Sequence, residues 1–181
     1  MVLKKQWYEI LSPKMFGAKV IGETLAVDSK QLVNRTVEVN LMNLINDYSK
    51  FYIKIHLQVE KVENHKAYTK FIGHEVVRER IYRMVQRRLR RVDSITDAET
   101  KDGKKIRVKI VFSLVKRVNN SIKSAARKKA KESVEKAVKE NDLEGLVKAI
   151  TSGSLQETIR KDVKKIYPVG NLEIRKSEVL N

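Results

Sequence analysis

Seven arginines stand within fourteen residues in the stretch RERIYRMVQRRLRR, 78–91, with one glutamate and no lysine. At such density the guanidinium group does one kind of chemistry well, which is to bind phosphate. Its planar fork matches two phosphate oxygens at once, it stays charged at physiological pH, and it stacks on exposed bases. On a helix of 3.6 residues per turn, Arg80, Arg83 and Arg87 gather on one side, joined by Arg90 and Arg91 if the helix runs on. Val77, Ile81, Met84 and Val85 gather on the opposite side, Arg88 falls inside that apolar arc, and Arg78 lies near its edge. A solvated helix face ordinarily mixes signs, because like charges at i, i+4 repel. Glu79 is the one counter-charge in this stretch, so the pattern points to a surface that faces a polyanion.

A second basic region follows. Lys116, Arg117, Lys123, Arg127, Lys128, Lys129, Lys131, Lys136 and Lys139 stand against only Glu132 and Glu135. The small Ala125, Ala126 and Ala130 would let such a helix approach another surface closely; the plainer alternative is a solubilising helix. The whole chain carries a formal net charge of +17 over 181 residues. That charge opposes compaction unless a polyanion neutralises it, with nucleic acid the first candidate and an anionic membrane surface the second.

Other chemistries fail on spacing. The chain has no cysteine, which excludes disulfides, thiolate catalysis and cysteine-ligated zinc. His56 falls at an outward strand position, His65 in a turn and His74 beside a helix start. The stretch HEVVR, 74–78, places arginine where a zinc-protease motif needs its second histidine. Gly73 and Gly103 stand alone, so no phosphate-cradling loop of the Walker type is present. Asp93, Asp97 and Asp102 could be drawn as a nuclease metal cluster, but the strand register argued below points Asp93 and Asp97 outward beside basic residues. No strand carries two closely spaced exposed aromatics, so base stacking of the RNA-recognition-sheet kind is not indicated. No catalytic residue, metal site, cofactor or small-molecule substrate is expected. MVLKKQWYEIL lacks the apolar core and cleavage site of a secretory signal, and no apolar run is long enough to span a membrane.

The elements that must position these residues read as strands first and helices later. Phe51, Ile53, Ile55, Leu57 and Val59 alternate with polar residues, the period of a half-buried strand. Val37, Val39 and Leu41 alternate likewise, as do Ile106, Val108, Ile110, Phe112 and Leu114. Shorter strands are expected at 6–11 and 67–72, and Glu63-Asn64-His65 suits a hairpin turn. Lys101-Asp102-Gly103 marks a second hairpin. A two-residue loop there would put Asp97 on the apolar face. A three-residue loop with Gly103 in the left-handed region pairs Thr100 with Lys104, Ala98 with Ile106, Val92 with Phe112, Glu99 with Lys105 and Asp97 with Arg107, which sorts apolar from charged pairs.

The arginine helix is expected over about 75–88, ending near Arg87 because Val92 must soon begin the hairpin strand. Residues 121–140 read as a helix with a thin stripe of Ile122, Ala126, Ala130, Val134, Ala137 and Val138. Leu143, Leu146, Val147 and Ile150 give a short amphipathic helix that Gly153 can stop. Ser154-Leu155-Gln156-Glu157 reads as a capping box opening another, with Leu155, Ile159, Val163 and Ile166 inward, ended by Pro168. Leu172 and Ile174 suggest a last short strand. The simplest organisation is one α+β domain, with a β-rich part over 1–118 and a helical portion over 119–181 packing on it.

Several segments, taken in order, resemble one family: KKQWYEILSPKMFG with VIGETLA, VNRTVEVNLMNLIND, AYTKFIGHEVVRERIYRMVQRRLRRVDSITDAETKDGKKIRVKI, and KKIYPVGNLEIRK. This is similar to the archaeal and eukaryotic small-subunit ribosomal protein family called "three-A-e", also known as e-type one. The most specific part is the arginine segment running into Thr100-Lys101-Asp102-Gly103. The resemblance implies a cytoplasmic, non-enzymatic component of the small-subunit platform, with a compact barrel-like β core and appended helices. It implies contact with small-subunit rRNA near its 3′ end, close to where mRNA leaves, and neighbouring ribosomal proteins as partners. The family's rRNA contacts map onto Arg80, Arg83, Arg87, Arg88, Arg90 and Arg91, and onto Lys123, Arg127, Lys128 and Lys131 of the second basic region. The long basic N-terminal extension and extended C-terminal tail of eukaryotic members have no counterpart here, which implies an archaeal-type member. By themselves the residues reach a basic α+β protein built to hold RNA backbone, with a free-standing RNA chaperone or translation regulator as the alternative.

Overall fold

The structure is a computed structural model that describes residues 4–180. The chain divides into two compact units, Met1–Glu75 and Val76–Asn181. In the first, the strands are β1 (Gln6–Leu11), β2 (Val20–Ala26), β3 (Thr36–Asn40), β4 (Ile53–Glu63) and β5 (Lys66–Val76), with a short helix α1 (Leu41–Ile45) after β3. Their pairings run β2-β1-β5-β4-β3. β1 pairs antiparallel with β2 and parallel with β5, and β3 pairs antiparallel with β4. The predicted alternation in β4 is realised: Ile53, Ile55, Leu57 and Val59 are buried and Lys54 is exposed. Phe51 lies outside the strand, 63% exposed. The β4–β5 turn places Asn64 and His65 at φ 48° and 60°, the twist that a two-residue hairpin loop requires. Tyr8, Ile10, Ala26, Leu32, Val59 and Ala67 pack together as a core cluster.

This run of strands does not close. Among the described residues β2 and β3 are not paired with each other, so the barrel-like core implied by the family resemblance is not seen. A cleft of about 430 Å³ is lined by Gly22 and Glu23 of β2 and by Val37, Glu38 and Val39 of β3. Two like-charged glutamates and a glycine line the cleft between the facing edges, which disfavours direct pairing there.

In the second unit β6 (Arg90–Glu99), β7 (Lys105–Leu114) and β8 (Val169–Leu180) form an antiparallel ladder in the order β8-β7-β6. The β6–β7 register is the one that charge sorting predicts. Ala98 pairs with Ile106, Val92 with Phe112, Glu99 with Lys105 and Asp97 with Arg107. Gly103 sits at φ 71°, its N–H donates to the Thr100 carbonyl, and the Thr100 N–H donates to the Lys104 carbonyl. Residue 103 therefore needs glycine for the left-handed conformation.

Helices cover this ladder. α2 (Arg78–Met84) precedes β6, and α3 (Asn120–Glu140), α4 (Leu143–Ser152) and α5 (Ser154–Lys164) follow β7. α3 lies against β6 and α5, and α5 lies against β8. Ala126, Ala130, Val134 and Val138 form the buried stripe of α3; methyl-sized side chains at 126 and 130 bring its backbone close to the strand beneath. The predicted inner faces of α4 and α5 are buried, except that Ile166 lies beyond α5 and is 40% exposed.

The predicted capping box is not formed. Gly153, at φ 91°, ends α4 and is itself the N-cap of α5, so Ser154 already belongs to the helix and its hydroxyl donates to the Ala149 carbonyl instead. α4 is capped from two places: Asp142 accepts the Gly145 N–H at 3.1 Å, and Asp102, from the hairpin turn, accepts the Leu143 N–H at 3.0 Å. The last strand is not short. β8 runs for 12 residues and bulges twice, once where Gly170 and Asn171 pass Ser113, and once at Arg175, which has no partner between the Lys109–Lys176 and Ile110–Ile174 pairs.

Candidate nucleic-acid interface

The arginine segment is not one helix. β5 continues to Val76, α2 occupies only Arg78–Met84, and Val85 is already extended. Ile81 and Met84 are buried beneath it, while Tyr82 and Arg83 are exposed. Residues 87 and 88 form a turn in which Arg88 takes φ 71°, and Arg90 and Arg91 open β6. Two forces shorten the helix. Val76 and Val77 favour extended backbone, and a longer helix would stack Arg80, Arg83 and Arg87 at like-charge spacing. The expected ridge on a single helix face is thus corrected to arginines supplied by a helix, a turn and a strand.

These arginines divide by what they touch. Arg80 donates from Nε and Nη2 to Glu173 Oε1 at 3.2 and 3.1 Å. Arg91 donates from Nε and Nη2 to the Asp93 carboxylate, with its shortest contact at 2.8 Å, and those bonds push its own pKa further up. Arg90 is half-buried, and its Nη2 donates to Asn120 Oδ1 at 3.3 Å at the start of α3. Arg83, Arg87 and Arg88 are exposed and meet no carboxylate among the described residues. Arg83 lines an open groove of about 360 Å³ with Arg80, Arg160 of α5, Asn171 and Glu173.

The second basic region is more nearly neutralised along α3. Lys131 pairs with Glu135, Lys129 with Glu132 and Lys136 with Glu140, all exposed pairs of the kind that contributes about 0–1 kcal/mol. Arg127 Nε donates to the Asp93 carbonyl at 3.0 Å, which ties α3 to β6. Lys123 is half-buried, Lys128 is exposed, and neither has an ion-pair partner among the described residues. The two units differ sharply in charge: residues 1–75 hold eleven Lys and Arg against eight Asp and Glu, whereas residues 76–181 hold twenty-eight against fourteen.

Asp93, Asp97 and Asp102 are engaged by the protein itself, the first two in ion pairs on the sheet surface and the third at a helix cap. Asp97 meets Arg107 at 2.8 Å, and that guanidinium holds its carboxyl below the ordinary carboxylate range. Asp93 is taken by Arg91, and Asp102 caps α4. Among the described residues no group of three or more His, Asp or Glu side chains is placed to hold a metal ion. His56 faces outward from β4 but sits between Glu38 and Glu75, at 3.6 and 3.9 Å, and is largely shielded. His65 packs against the Tyr8 ring at 5.2 Å, and His74 is buried.

A basic surface on this strand-and-helix frame has relatives. The model of the Ribosomal S3Ae family matches residues 1–181. The chain belongs to the ribosomal S3Ae family. Small ribosomal subunit protein eS1 of Methanothrix thermoacetophila is 40% identical over 176 residues, covering 97% of this chain and 83% of that protein. The eS1 proteins of Archaeoglobus fulgidus and Sulfurisphaera tokodaii are 40% and 37% identical, again over 97% of this chain, and over 84% and 91% of their own lengths.

For this S3Ae-family chain, sequence reasoning overlooked three side chains that join the arginine segment. Arg160 stands on the outer face of α5 and reaches the Arg83 groove. Arg175 occupies the bulge of β8, and Tyr82, 70% exposed, projects from α2. Tyr82 was legible, since it falls on the polar side of the helical wheel beside Arg78. Arg160 and Arg175 lie some 70 residues or more beyond the segment, and nothing local signals that the chain returns there.

Proposed function

We propose that this chain is a structural component of the small ribosomal subunit that holds rRNA backbone through the arginines of residues 78–91. The observation that carries the reading is the trio Arg83, Arg87 and Arg88, exposed and without carboxylate partners, in a unit with twice as many basic as acidic residues. Side chains that repel one another and have no internal counter-ion are accounted for when phosphates supply the counter-ions. Arg80, Arg90 and Arg91 brace this surface through Glu173, Asn120 and Asp93. Lys123, Arg127, Lys128 and Lys131 extend the footprint along α3. Contacts of this kind position without reading sequence, so the folded shape of the rRNA supplies specificity. The relatives named for the small ribosomal subunit support this reading. We further place the contact at the rRNA 3′ region on the platform near the mRNA exit, beside other subunit proteins in the cytoplasmic ribosome, with no catalytic role.

The test is electrostatic. With about six phosphates neutralised on mixed single- and double-stranded RNA, the log–log dependence of affinity on salt has a slope of roughly −4 to −5. Filter binding of a small-subunit rRNA fragment across a salt series measures it; a slope near zero removes the mechanism. A free-standing RNA chaperone would bind unrelated RNAs of equal length as tightly, whereas this protein favours the small-subunit fragment.

A further inference from the structure

On the side of α2 away from the Arg83 groove, a second groove of about 230 Å³ is lined by Arg78, Ile81, Tyr82, Arg91 and Arg175. We infer that this groove takes one unpaired nucleotide, its base stacked on the Tyr82 ring and its phosphate held by Arg78 and Arg175. The inference rests on the rRNA-binding reading above and adds to it a base contact that phosphate binding alone does not require.

Four observations converge. Tyr82 is 70% exposed although it stands beside the buried Ile81, so its ring face is open to solvent. Among the described residues, neither the ring–ring contacts nor the cation–ring contact involves it. Arg78 lies one helical turn before it, on the same face, and Arg78 and Arg175 have no ion-pair partner among the described residues. Arg91, the third guanidinium, is held in place by Asp93, which is thus committed to it.

Arg175 reaches the groove because of the bulge. In regular pairing, residues 174 and 175 would alternate faces opposite Ile110 and Lys109; the extra residue leaves Arg175 unpaired in the ladder and re-aims it. Arg78 and Arg175 converge beside Arg91 on an uncovered aromatic, repel one another, and, unlike Arg91, meet no carboxylate among the described residues. A nucleotide complements both features, since phosphate satisfies the guanidiniums and any base has a flat face for the tyrosine. Stacking of this kind tolerates every base, consistent with a protein that recognises RNA by shape.

The experiment compares the full chain with its Tyr82→Ala and Tyr82→Phe variants. The probes are an octauridylate and an octamer of the same backbone carrying abasic spacers in place of every base, compared at one moderate salt concentration and then across a salt series. The wild type is expected to bind octauridylate roughly tenfold more tightly than the abasic octamer, Tyr82→Phe to keep that preference, and Tyr82→Ala to lose it without weakening abasic binding. Because Tyr82 is exposed, neither substitution unfolds the protein, and unchanged circular dichroism checks this. No preference in the wild type, or an undiminished one in Tyr82→Ala, overturns the stacking site. If both octamers still bind with a steep salt dependence in that case, the backbone-binding reading survives. If neither binds and the rRNA fragment shows no salt dependence, both fall. An oligoglutamate peptide that binds as tightly as octauridylate also overturns it, by making the groove a general anion site.

Discussion

Replacing Arg83, Arg87 and Arg88 together with glutamate weakens rRNA binding about a thousandfold while leaving the fold intact. All three side chains are exposed, and none has a carboxylate partner among the described residues, so reversing their charge breaks no ion pair inside the protein. Arg88 stays in its left-handed turn at φ 71°, at a conformational cost about the same for glutamate as for arginine. Outside the fold the effect is large. Each lost charge-assisted contact to phosphate is worth about 1.5 kcal/mol or more, so three together weaken binding roughly a thousandfold. The salt slope becomes shallower by about 2 to 3. Filter binding and circular dichroism on the same preparation measure both halves. A triple variant that binds like the wild type shows that these arginines are not the contact surface. Arg90 is left out of the set, because it is half-buried against Asn120 and its loss would disturb the junction of β6 with α3.

Ile110→Asp does the opposite and unfolds the second unit. Ile110 is 1% exposed in the middle of β7, paired with Ser94 on one side and Ile174 on the other. Truncating a buried isoleucine costs about 2–5 kcal/mol, and burying a carboxyl group without a partner adds several more. The total rivals the whole stability of a domain, about 5–15 kcal/mol. Ile95 is the control: it lies on β6 but is 60% exposed, so Ile95→Asp shifts stability by about 0.5 kcal/mol or less. Urea denaturation followed by circular dichroism separates the two. A cooperative transition in Ile110→Asp at the wild-type midpoint contradicts the assignment of β7 as the core strand.

How much of this was legible in the sequence depended on how local the deciding forces were. The β6–β7 hairpin was readable to the residue, because Gly103 and two oppositely charged cross-strand pairs leave one register that keeps carboxylates out of the core. The long α3 was readable because alanine, lysine and glutamate favour helix regardless of surroundings. α2 was overextended because helical periodicity continues past Met84 while the arginine repulsion and the incoming β6 strand do not permit the helix to follow it. β8 was read as a short strand because its two bulges break the two-residue alternation at Gly170–Asn171 and again at Arg175. The pairing of Arg80 with Glu173 spans 93 residues and leaves no local trace. It is also why the arginine surface is narrower than its composition suggests: part of the charge is spent bracing the fold, and Arg78, Arg83, Arg87 and Arg88 carry the remainder outward.

Sedimentation of the native protein from a cell lysate, followed by immunoblot across a sucrose gradient, tests ribosomal assembly most directly. The protein is expected to migrate with the small subunit through moderate salt and to leave it only when salt screens the phosphate contacts. A protein that stays at the top of the gradient at low salt, while other small-subunit proteins migrate normally, contradicts a role as a structural component of that particle.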